Sequence, residues 1–146
     1  MSSGIVFHAV AALVYTVLAA SMWRRLQQAG SIEQTGRITR FCLLGALIVH
    51  GYALREAMLG THHIFIGWAL ALSAAMWLGL MMYWLESLFI RIDGVQLLLL
   101  PAAAVVTLLA ALFPQGVDVP HVGNPWLRIH LLIALAAYGL ITIAAL

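Results

Sequence analysis

The sequence predicts an all-α, polytopic membrane protein with about five transmembrane helices and its N-terminus outside, and three observations carry that prediction. Hydrophobic residues make up 64% of the 146 residues and charged residues only 8%, with a mean hydropathy of +1.05. A soluble domain carries about 25% charged residues. The apolar residues fall in unbroken runs of roughly 20, the length at which a helix crosses a hydrocarbon core of about 30 Å. Those runs do not alternate polar with apolar residues, which excludes a membrane β-barrel.

Taken in order, the spans cover 4–22, 38–58, 64–85, 95–113 and 126–146, within a single transmembrane domain of residues 1–146. The first is a retained anchor rather than a secretory signal, because no basic residue precedes it and Arg24 and Arg25 follow it. The second and third are joined by a short segment containing His62 and His63. The fourth contains Pro101, two turns from its inner boundary, where a simple kink is expected. The fifth follows PQGVDVPHVGNPW, whose prolines and glycines forbid a continuous helix, and Pro125 opens it as a first-turn residue.

Arginine alone sets the orientation, since the chain has no lysine. Arg24, Arg25, Arg37, Arg40 and Arg91 flank the first and third loops, against Arg55 and Arg128 on the other side. The arginine-rich side is cytoplasmic. The net charge of +2 therefore reflects topology and gives no case for nucleic acid. The first-loop arginines also suit anionic lipid headgroups. Trp23, Tyr83, Trp84 and Trp126 sit at span ends as an interfacial belt, where Trp68 also belongs, and Trp77 lies deeper.

With that orientation all six histidines lie in the outer half. His8, His62 and His63 read as half-wet interfacial rings, and His121 as either that or a functional group. His50 and His130 are embedded further, where both ring nitrogens need partners. Each is either a structural histidine bonded to a neighbouring helix or a neutral ligand for a metal or haem iron. Ala134, Ala137 and Ile141 share the face of His130, with Tyr138 at its edge and Trp126 one turn above. Ala46, Ala53 and Ala57 repeat the pattern around His50. Small residues there leave room for a flat cofactor, or for the close approach of another helix.

Other chemistries find little support. Cys42 is alone, which excludes a CxxC redox pair and a CxxCH haem attachment, and reads as a small packing residue. Glu33, Glu86 and Asp93 belong to inner loops, Asp118 to an outer loop, and Glu56 sits beside Arg55 at a span end. No carboxylate lies at mid-membrane, where a cation-coupled transporter keeps one. No nucleophile and base are paired, so the chain is not expected to be an enzyme by itself.

The segment PWLRIHLLIALAAYGLITIAAL, with Trp-Leu-x-x-His ahead of a tyrosine eight residues on, resembles the cytochrome c assembly family of haem-handling membrane proteins. VHGYAL around His50 and LLLLPAAAVV around Pro101 are similar to its shorter, YpjD-like inner-membrane branch. The resemblance covers roughly 41–146. It implies that His130 is an external axial ligand of non-covalent haem b, with His50 a possible second ligand and Trp126 and Tyr138 bordering the macrocycle. It further implies a multi-pass protein of the bacterial cytoplasmic membrane that presents haem for cytochrome c biogenesis, with apocytochrome c or other assembly proteins as partners. The family's tryptophan-rich segment and second external histidine fall beyond Leu146, so the resemblance is to the N-terminal half of the longer family fold. The competing expectation is a small-molecule or ion permease subunit, or an accessory membrane protein whose histidines are structural.

Overall fold

The computed structural model describes residues 2–29, 37–59, 65–89, 94–114, 117–118 and 125–144. They form five helices: α1 (Ser2–Ala29), α2 (Arg37–Leu59), α3 (Trp68–Glu86), α4 (Val95–Leu112) and α5 (Pro125–Ala144). A two-residue antiparallel pair joins β1 (Phe65–Ile66) to β2 (Val117–Asp118) at one end of the helices. Four helices, α1 to α4, are long and apolar enough to cross a membrane, and α5, a further helix of 20 residues, carries the shorter apolar stretch Ile129–Tyr138.

Helix boundaries depart from the hydropathy runs where polar residues can remain helical in the interface. The first helix continues seven residues past Met22 to Ala29, so Arg24 and Arg25 ride on it rather than ending it. The third begins at Trp68 rather than residue 64, because Phe65 and Ile66 are extended and paired. Pro101 lies within a continuous α4 on its exposed side. Gly94, at φ 97°, caps the start of α4 in a conformation that penalises any residue with a Cβ.

α1 packs against α2 and α4, and α3 packs against the same two, which closes a four-helix bundle; α5 packs against α3. The core contains Ala11, Tyr15, Leu18, Leu43, Ala46, Leu47, Leu80, Tyr83, Leu99, Leu100 and Ala103. Tyr83 is therefore a core residue and not part of the interfacial belt, and Trp84 ties α3 to α2 by donating its indole N–H to the Arg40 carbonyl. Trp77 likewise donates to the Leu47 carbonyl at 2.7 Å. Trp23 and Trp68 are exposed as belt residues should be, with Trp68 packed on Phe113.

Polarity is distributed inside out. Val6, Val10, Leu13 and Val17 form an exposed stripe on α1, and Ile38, Phe41 and Ile48 are exposed on α2. The core meanwhile holds His8, His50, Ser73, Gln96 and Thr107. In water such a surface would aggregate. Against lipid it is the ordinary outside of a membrane bundle, so the fold defines a polytopic α-helical membrane protein.

Candidate functional site

The half of the bundle nearer the β1–β2 pair carries a layer of buried polar side chains, one or more from each of α1 to α4. His50 on α2 is fully buried. Its Nε2 lies 2.8 Å from the Ser73 hydroxyl of α3, and its Nδ1 lies 3.2 Å from the Tyr15 hydroxyl of α1. Both ring nitrogens thus have partners on neighbouring helices. The alanines flanking His50 serve close approach: Ala46 and Ala53 are buried, and a Cβ placed on Gly4 of α1 would stand 3.7 Å from the Ala57 backbone.

His8 of α1 departs from the interfacial setting expected of it. It is only 2% exposed rather than half-wet, and its ring centroid stands 5.9 Å from that of His50. Its Nδ1 is 2.8 Å from the Gly4 carbonyl. A carbonyl only accepts, so Nδ1 carries the proton and Nε2 presents a lone pair. That Nε2 is buried without a hydrogen-bond partner among the described residues, as is the Thr107 hydroxyl on α4. An orphaned buried acceptor costs about 1–3 kcal/mol. His8 and Tyr15 are seven residues apart, two helical turns, and so face α2 together; that spacing was the available signal.

A further polar orphan lies at the opposite end of α4 from Thr107. Gln96 at the start of α4 is buried with both amide atoms unpartnered among the described residues.

His130 occupies a different setting. It is exposed on α5, with exposed Trp126 one turn before it and Ile133, Ala137, Tyr138 and Ile141 exposed beyond it. Trp126 is 77% and Tyr138 66% exposed. Ala134, expected on the same face, is partly buried. Because α5 packs against α3, this face points away from the bundle. His130 and His50 thus belong to separate environments.

Among the described residues, no three histidine, cysteine, aspartate or glutamate side chains are grouped to hold a metal. Cys42 is exposed on α2 rather than packed in the core. Glu56 pairs with Arg55 at 3.0 Å, which accounts for the one acidic residue near the outer end of α2. His62, His63, His121, Glu33, Arg91 and Asp93 lie outside the described residues. No known protein family, curated protein or solved structure matches the chain.

Proposed function

We propose that the chain is a haem-handling protein of the bacterial cytoplasmic membrane, of the cytochrome c assembly type, with His130 as the axial ligand. One observation carries the reading: an imidazole stands on the uncovered face of an apolar helix, between Trp126 above and Ile133, Ala137 and Tyr138 below. A polar ring at that depth with only lipid to face is unfavourable, and a ligand removes the penalty. The donor set fits non-covalent haem b. An exposed imidazole supplies the iron ligand, and exposed aliphatic and aromatic side chains supply a flat apolar bed.

Haem itself supplies the redox and ligand chemistry. The protein's part is positional. His130 fixes depth along α5, Trp126 and Tyr138 border the macrocycle, and the outer position suits delivery to an apocytochrome or an assembly partner. His50 is the weaker ligand, because both its nitrogens are occupied and its ring is sealed from any face wide enough for a macrocycle.

The visible spectrum of protein purified in mild detergent and supplemented with haem tests this directly. A Soret band is expected that His130→Ala abolishes or shifts and His50→Ala leaves. A wild-type protein without the band, or a band indifferent to His130→Ala, sinks the proposal. The second outcome would direct attention to a bundle whose histidines are structural, as in a permease subunit or accessory protein.

A further inference from the structure

We infer that His8 and His50 form a second site, a two-histidine seat for one monovalent metal ion that accepts imidazole, with cuprous copper as the matching chemistry. The inference is independent of haem at His130.

His8 is arranged as metal-ligating histidines are. Its Nδ1–H is held by a backbone carbonyl, which fixes the tautomer and the ring, and its Nε2 lone pair is buried with no hydrogen-bond partner among the described residues. The neighbouring imidazole lies at a ligating separation. Two rings bound to one ion at metal–nitrogen distances of about 2 Å have centroids roughly 5 Å apart at a tetrahedral angle and about 6 Å apart in line, and those of His8 and His50 are 5.9 Å apart.

The two nitrogens of His50 divide the work. Nε2 faces Ser73 on α3, whereas Nδ1 faces Tyr15 and therefore α1, the helix that carries His8. A phenol is a better donor than an aliphatic hydroxyl, so Tyr15 donates to Nδ1 and Nε2–H donates to Ser73. Nδ1 then carries the lone pair open to an ion, guarded only by the longer of the two hydrogen bonds. An entering ion displaces the Tyr15 hydroxyl and keeps Ser73 as the group that orients the ring. Both imidazoles then have their outer nitrogens held, His8 by Gly4 and His50 by Ser73.

Charge selects the ion. The ligands are neutral, and Glu56, near the outer end of α2, is engaged by Arg55. A divalent ion in this low-dielectric layer lacks the compensation it needs. Sodium and potassium prefer oxygen donors, whereas copper accepts imidazole. A macrocycle is excluded by the close packing of α1 on α2, with Gly4 against Ala57 and Tyr15 against His50.

The test is anaerobic titration of the haem-free, detergent-purified chain with Cu(I), kept reduced by ascorbate, in competition with a chromophoric Cu(I) chelator. One ion per chain is expected. His8→Ala and His50→Ala should lose binding, and Ser73→Ala should weaken it about 10- to 100-fold, as loss of an orienting partner does. Tyr15→Phe removes the competing hydrogen bond and should hold copper as tightly or more tightly than wild type, a result that a merely structural histidine pair would not give. His130→Ala should leave copper binding unchanged. No stoichiometric copper in the wild type, or equal copper in wild type and a His8→Ala protein that elutes as the wild type does, overturns the inference.

Discussion

Gly51 permits a quantitative check on the packing that seats His50. A Cβ at this position would stand 3.0 Å from Cζ2 of Trp77 and 3.2 Å from Cε2 and Nε1. Comfortable carbon contacts begin near about 3.5 Å, so Gly51→Ala must push the indole roughly half an ångström away from α2. That motion strains the 2.7 Å bond from Trp77 Nε1 to the Leu47 carbonyl. Overpacking costs about 1–3 kcal/mol and a weakened hydrogen bond about 1 kcal/mol, against a gain of about 0.5–1 kcal/mol from replacing a helical glycine. The net is a destabilisation of about 1–3 kcal/mol. Gly45, two turns away on the same helix, supplies the control, since nothing stands within 4 Å of its Cβ position. Gly45→Ala should show only the helix gain. Thermal unfolding in detergent, followed by near-ultraviolet circular dichroism of the tryptophans, should separate the pair by several degrees at about 2–4 °C per kcal/mol. In a Trp77→Phe background the cost of Gly51→Ala should shrink, giving a measurable coupling. Equal melting temperatures for Gly51→Ala and Gly45→Ala would refute the close approach of Trp77 to α2.

Further predictions concern the polar layer and the orientation. Ser73→Ala leaves a buried His50 nitrogen unpaired and should destabilise by about 1–3 kcal/mol, whereas Thr107→Val removes an orphaned hydroxyl at nearly constant volume and should be neutral or stabilising. Equal losses in thermal unfolding would show that Thr107 has a partner. For orientation, in a Cys42→Ser background, a cysteine placed by His62→Cys should react with a membrane-impermeant maleimide on intact spheroplasts. One placed by Glu33→Cys should react only after permeabilisation, and the reverse pattern would invert the topology read from the arginines.

The helices were legible because hydropathy reports the solvent that a segment faces, and here that solvent is lipid. Their ends were less legible. Arg24 and Arg25 extend α1 rather than stop it, since an interfacial helix can carry charge on its wet turns. His50 and His130 look alike in the sequence, each a lone histidine among apolar residues and alanines, yet one is fully buried between helices and the other lies open on α5. Helical periodicity tells which residues share a face, not what that face meets. Tyr83, placed at a span end by its sequence position, is buried in the core for the same reason. The spacing of His8 and Tyr15 puts both on one face of α1, but burial so near a span end depends on a tertiary contact, the fit of Gly4 against Ala57, which that spacing does not announce.

The two histidine environments make the two proposals separable by experiment. A ligand at His130 meets the protein on an open face, so its loss should remove a spectrum while leaving the bundle intact. A ligand at His8 and His50 must enter a packed layer whose members already share hydrogen bonds, so occupancy there competes with the bundle's own cohesion. Replacing Tyr15 by Phe separates these effects. It removes a hydrogen bond that holds the apo bundle together, and it frees the nitrogen that an ion would take. The substitution should therefore lower the melting temperature without copper and restore it with copper. A purely structural cluster has no means of producing the second half of that result.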